Sequence, residues 1–161
     1  MDTAQLIGWA AALAGFASLV LRDERRVRIG LIVHTVLYLA HFALLGLPIA
    51  VASNVIALLR LTLSLRFHSW WFVACLAVAS VVPGVLYFDG WVSILPMLAS
   101  VVLTYGLFRC QGLALRRILF LGSFLWLVHN IAVESWGGMA VELGMCASSL
   151  IGILRSRNVE K

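Results

Sequence analysis

Residues 29–65 read IGLIVHTVLYLAHFALLGLPIAVASNVIALLRLTLSL, 37 positions with a single charged side chain, Arg60. As one helix at about 1.5 Å per residue this stretch would run some 55 Å, nearly twice the ~30 Å hydrocarbon core of a bilayer. Gly46 and Pro48 supply a break near its middle, and proline is favoured in the first turn of a helix. The stretch is therefore expected to be two antiparallel helices, Ile29–Leu47 and Pro48–Leu65. Strands are excluded, because an open strand in hydrocarbon leaves N–H and C=O groups unpaired at several kcal/mol each.

The rest of the chain repeats the pattern. Flanking charges and turn residues mark five more segments: Gln5–Leu21, Ser69–Phe88, Trp91–Phe108, Ile118–Val133 and Trp136–Leu154. Only 12% of residues are charged and 63% are hydrophobic, against about 25% charged in a soluble domain. Mean hydropathy is +1.03. Disorder, collagen and nucleic-acid binding all need a polar or periodic composition that is absent here. The first segment has Asp2 and no basic residue before it, so it is expected to be a retained helix and not a signal peptide. Cys75, Cys110 and Cys146 show no CxxC spacing, which argues against a disulfide framework or a zinc site.

With seven spans, the basic residues fall on one side. Arg22, Arg25, Arg26 and Arg28 follow the first helix, and Arg66 follows the third. Arg109, Arg116 and Arg117 lie between the fifth and sixth, and Arg155, Arg157 and Lys161 follow the seventh. The twelfth, Arg60, is within helix 3. The positive-inside rule then places the N-terminus outside and the C-terminus in the cytoplasm. Trp70, Trp71, Tyr87, Phe88, Trp91 and Trp136 sit at span ends, where an interfacial aromatic belt belongs.

A shift of 88 residues aligns Ser18–Leu65 with Gly106–Ile153 without a gap, at seven identities in 48 pairs, four of them leucine. That score is weak in a leucine-rich chain; what coincides is more telling. His41 falls on His129, Tyr38 on Trp126, Arg28 on Arg116 and Asn54 on Glu142. The expected fold is an all-α membrane protein of seven transmembrane helices: a three-helix repeat over 5–66, a linker helix over 69–88 and a second repeat over 91–155. One odd linker helix gives both triplets the same orientation, as parallel repeats require.

This 3+1+3 arrangement resembles the SWEET and PnuC transporter architecture, an analogy of fold that bounds function loosely. Several motifs resemble the YgjV family of bacterial inner-membrane proteins: Arg22-Asp23-Glu24-Arg25-Arg26, His41-Phe42-Ala43-Leu44-Leu45-Gly46, Trp126-Leu127-Val128-His129-Asn130, and Ser135-Trp136-Gly137-Gly138 followed by Glu142. The resemblance implies a multi-pass protein of the inner (cytoplasmic) membrane and supplies no reaction.

Helix rise also gives depth. His41, Asn54, His129 and Glu142 each lie roughly 8–9 Å below the outer surface, on four different helices. Tyr38 and Trp126 lie one turn deeper on the faces of the two histidines, and Asn130 follows His129 directly. Ionisable residues within spans are rare and mark pathways, so these seven are the expected substrate-binding or gating residues. The same groups also suit interhelical hydrogen bonding, worth ~0.6 kcal/mol each in membranes. His34 extends the layer inward. Arg60 is within snorkelling reach of the cytoplasmic surface and divides between an anchor and a charge at the inner mouth. Glu142 is expected to pair with His129 or His41.

The leading functional expectation is a transporter or facilitator of a small polar solute through a cleft between the triplets. The alternative is a proton or metal-ion pathway through the His/Glu layer, and a minor one is haem ligated by His41 and His129. No resident metal or cofactor is expected. The chain lacks GxxxxGK[ST], HExxH and GxSxG, which removes direct ATP coupling and leaves an enzyme without a motif. The lipid bilayer and an unidentified solute are the expected partners, with no nucleic acid; an oligomer is possible and not required.

Overall fold

A computed structural model describes residues 2–20, 24–64, 66–67 and 69–159, with the side chains of 19–20, 24–28 and 155–159 outside that description. Among the described residues the chain is all-helical, with seven α-helices and no strand. They are α1 (Thr3–Val20), α2 (Glu24–Leu44), α3 (Pro48–Leu63), α4 (Trp70–Leu86), α5 (Ile94–Arg109), α6 (Gly112–Ala132) and α7 (Trp136–Val159).

The break that decides the sequence reading is where it is expected. Gly46 adopts φ +69°, the left-handed conformation that lets the chain leave α2. Pro48 then opens α3, where its missing N–H costs nothing. The second turn differs in detail. Trp91–Ser93 form a 3₁₀ turn, entered through Gly90 at φ +84°, and α5 proper starts only at Ile94. The start of α6 is a larger correction: it begins at Gly112 and not at Ile118. Arg116 and Arg117 are thus helical, not loop residues, and α2 and α7 likewise carry Arg25, Arg26, Arg28, Arg155 and Arg157 on helical backbone. Arginine is a good helix former, so a helix has no reason to end where the apolar stretch does. The side chains of those last five residues, with Arg22 and Lys161, lie outside the described residues.

Six helices close into a ring in the order α1, α2, α3, α5, α6, α7 and back to α1, while α4 packs outside it against α3 and α5. At the α1–α7 closure, a Cβ on Gly137 would strike the backbone of Gly8 and the Trp9 nitrogen, so only glycine permits this approach. One end of the ring gathers the α2–α3, α4–α5 and α6–α7 turns: Gln5 donates to the Glu134 carbonyl at 3.0 Å, and one hollow is lined by Gly46, Phe88 and Val133 together. The opposite, basic end holds Arg109, whose guanidinium lies 4.1 Å from the Trp70 ring. Such a cation–π contact fixes the start of α4 to the end of α5.

The outside of the ring is apolar: Leu13, Val78, Val85 and Leu86 are each at least 65% exposed. Trp70, Trp71, Tyr87, Phe88, Trp91 and Trp136 are exposed too, in accord with an aromatic belt. Trp91–Arg109, Gly112–Ala132 and Trp136–Leu154 are long and apolar enough to cross a membrane; Ile29–Leu44, Pro48–Leu63 and Trp70–Leu86 are apolar but shorter.

Candidate functional site

A partly open cavity of about 150 Å³ lies inside the ring, with lining residues from all six ring helices. Of its nineteen lining residues, fourteen fall into seven pairs separated by 88 positions: Gly15 and Leu103, Leu31 and Leu119, Thr35 and Ser123, Tyr38 and Trp126, Ser53 and Val141, Asn54 and Glu142, Ala57 and Met145. His34 and Arg60 are among the five without such a partner. The wall therefore combines two aromatic rings, hydroxyls, an amide, a carboxyl and a guanidinium around an apolar middle.

Arg60 does not snorkel. It is 5% exposed, and its Nη1 donates to the Ser100 carbonyl at 3.1 Å and the Thr104 hydroxyl at 3.2 Å. Ser100 and Thr104 are one turn apart on α5, and Ser80 of α4 adds its hydroxyl 3.0 Å from that of Ser100. A polar notch inside the bundle is closer to the guanidinium than the membrane surface is, which corrects the anchoring expectation. The Arg60 Nε has no partner.

Glu142, 8% exposed, stands in the same wall beside Ser123. Neither His41 nor His129 is its partner. The His41 ring, fully buried, uses Nδ1 on the Ala4 carbonyl and Nε2 on the Ser135 hydroxyl, both at 2.7 Å. His129 Nδ1 faces the Val92 carbonyl at 3.3 Å, and its Nε2 has no partner. A carbonyl only accepts, so Nδ1 carries the proton in both rings. Each histidine binds a carbonyl 37 residues earlier, and the two carbonyls are themselves 88 residues apart. His34 follows the same habit, Nδ1 to the Ala11 carbonyl at 2.8 Å, and its ring lies 4.6 Å from that of Tyr38.

The seven expected site residues thus divide. Asn54, Glu142, Tyr38 and Trp126 line the central cavity, together with His34 and Arg60. His41, His129 and Asn130 lie outside its wall. Between them runs an aromatic layer: Phe42 stacks on Trp126 at 5.7 Å, Trp126 meets His129 edge-on at 5.6 Å, and Tyr38 meets Phe42 at 5.1 Å. Phe42 also sits 5.1 Å from His41 and 5.9 Å from His129, so it fills the space a haem between them would need. Among the described residues no three His, Cys, Asp or Glu side chains gather as a metal site. Beyond the aromatic layer a second hollow of about 500 Å³, lined by Pro48, Asp89, Val92 and His129, occupies the α3–α5 side of the turn end.

Sequence reasoning missed Ser100, Thr104, Ser123 and Ser135. A signal was present for the first two: they are four residues apart on α5 and so share a face. Asn130 is fully buried, its side chain beside the Tyr38 hydroxyl and packed with Ser135 over Gly138.

A chain that is all-helical over its described residues, with an apolar outer surface and buried polar groups around an interior cavity, belongs to the class of helical membrane proteins. Residues 2–160 match the Imp-YgjV family model, described as a bacterial inner membrane protein, and the chain belongs to that family. Among its relatives is Inner membrane protein YgjV of Escherichia coli (strain K12), 32% identical over 158 residues, covering 98% of this chain and 86% of the relative. No solved structure matches.

Proposed function

We propose that this inner-membrane protein carries a small polar solute through the ring without transforming it, with the central cavity as the binding site. All seven helices span, the N-terminus faces the periplasm, and the halves are parallel three-helix repeats joined by α4 in a SWEET- or PnuC-like 3+1+3 arrangement. The observation that carries this reading is the cavity wall: fourteen lining residues pair at one sequence offset, as expected when the cavity lies on the axis relating two repeats. The matched histidine–carbonyl bonds support the same axis.

The aromatic layer of Tyr38, Phe42, Trp126 and His129 separates the cavity from the hollow at the turn end. In this conformation a solute in the cavity is closed off from the periplasmic side. Transport needs the layer to part and the basic end to close, and a rocking of one triplet on the other does both. One chain supplies both walls, so no second copy is required.

Screening small metabolites by thermal shift on detergent-purified protein tests the reading, since a ligand bound only to the folded state raises apparent stability. The expected hit stabilises the wild type, is taken up by proteoliposomes, and loses both effects in Ala57→Phe, which fills the cavity. A hit that Ala57→Phe still binds and carries would overturn the site.

A second reading, a proton path, is favoured by the buried Tyr38 hydroxyl and Asn130 amide, which face each other with hydrogen-bonding capacity to spare and suit bridging water. Proteoliposomes with an internal pH dye separate it: acidification that needs no solute supports this path over the first reading.

A further inference from the structure

We infer that the solute is a small zwitterion, one anionic and one cationic group on a body no larger than a single ring, held between Arg60 and Glu142. The inference rests on the central cavity being a solute site, and it goes further by naming the chemistry that fits.

The wall carries one group of each sign. Arg60 comes from α3 and Glu142 from α7, the two helices that stand opposite each other in the ring. They do not neutralise each other. Glu142 is matched across the ring by Asn54, and Arg60 lies six residues further along α3, about 9 Å of helix rise. The guanidinium is held by neutral groups only, Ser100 and Thr104, with Nε unpartnered, and Glu142 has Ser123 beside it. A buried carboxyl or guanidinium without a counter-charge is costly to keep ionised, and a ligand that brings the opposite charge removes that cost.

Ligand classes differ in what they leave behind. A monocation satisfies Glu142 and leaves Arg60 bare. A monoanion does the reverse, and a neutral polyol compensates neither. Only a molecule with both charges and no net charge answers the whole wall. The anionic group takes the free edge of a guanidinium that Ser100 and Thr104 already orient. The cationic group takes Glu142, with the faces of Tyr38 and Trp126 in the same wall for a cation–π contact. Ala57 and Met145 are left for the carbon body. At about 150 Å³ the cavity has the size that accepts a benzene-sized ligand, which admits small amino acids and betaines and excludes peptides.

The test uses the full-length purified protein, with thermal shift and tryptophan emission, since Trp126 lines the cavity. Glycine betaine, L-proline and γ-aminobutyrate are the zwitterionic probes, with increasing charge separation available in the last. Choline, propionate and glycerol are the single-charge and neutral controls. At least one zwitterion is expected to raise the melting temperature by several degrees where the controls at equal concentration do not. Arg60→Gln and Glu142→Gln should each weaken that response at least tenfold, while Arg60→Lys keeps most of it and shows that the fold survives. The Glu142→Gln variant should turn from zwitterion to propionate. If glycerol or another neutral solute stabilises the wild type and Ala57→Phe abolishes it, the cavity reading stands and the zwitterion falls. Stabilisation by choline or propionate alone has the same meaning. If no probe of any class acts on the wild type, the zwitterion assignment fails, and the metabolite screen decides the cavity reading separately.

Discussion

Ser135 donates its hydroxyl to Nε2 of His41 at 2.7 Å, tying α2 to the start of α7, whereas Leu47, the residue 88 positions before Ser135, offers His129 no such bond. The two halves therefore share a histidine on a carbonyl but differ in its second ring nitrogen. His41 is saturated and His129 is not.

Ser135→Ala should expose that difference. It leaves Nε2 of a fully buried ring without a donor, at about 1–3 kcal/mol. Removing the ring itself in His129→Phe, where Nε2 already lacks a partner, should cost less. Melting temperatures of the two variants in one detergent decide it: equal losses would overturn the ranking, and an unchanged Ser135→Ala would show that the bond contributes nothing.

Gly137→Ala is expected to be the most disruptive glycine substitution. Its methyl meets the Gly8 backbone, which cannot move without separating α1 from α7. Overpacking of this kind costs about 1–3 kcal/mol. Gly144→Ala meets only the edge of Phe16, a partly exposed ring that can turn aside, and should cost under half as much. Expression and gel-filtration profiles of the pair give the ranking.

Orientation is tested by cysteine labelling in a background with Cys75, Cys110 and Cys146 replaced by serine. Asp89→Cys should react with an impermeant maleimide added to intact cells, and Arg66→Cys only after the inner membrane is opened. Reaction of position 66 from outside would reverse the proposed topology.

Phe42 is the centre of the aromatic layer. Phe42→Leu keeps it apolar and thins it, so passive leak of a solute through proteoliposomes should rise several-fold over wild type. The accompanying stability loss should be about 1–2 kcal/mol, below the 3–5 typical of complete ring removal. Unchanged leak would mean that the layer is not the barrier.

The seven helices, the Gly46–Pro48 break and the Phe88–Trp91 turn were legible in the sequence, because apolar runs and backbone chemistry mark them locally. The division of the polar layer was not. Helix rise gives the height of His41 and Glu142, but each residue also turns by about 100°, and sequence alone does not say which way a ring of helices faces. Two side chains at one height can thus point into different spaces. His41 and His129 turn to carbonyls on α1 and on the 3₁₀ turn at Trp91, while Asn54 and Glu142 turn to the cavity. Arg60 was misplaced for a related reason. Its distance from the surface could be counted, but the notch of Ser80, Ser100 and Thr104 forms only when α3, α4 and α5 pack.

The ring closes at two seams of unequal character. At α1–α7 the backbones touch through Gly8 and Gly137, and His41, Ser135 and Gln5 lace the turn end. At α3–α5 the turn end is hollow, and Arg60 reaches across deeper in. In the proposed transport cycle, a structure bound along one edge and open along the other works like a book. The α1–α7 seam is its spine, the α3–α5 seam its fore-edge, and α4, clasped to both covers outside, is the strap that limits how far it opens.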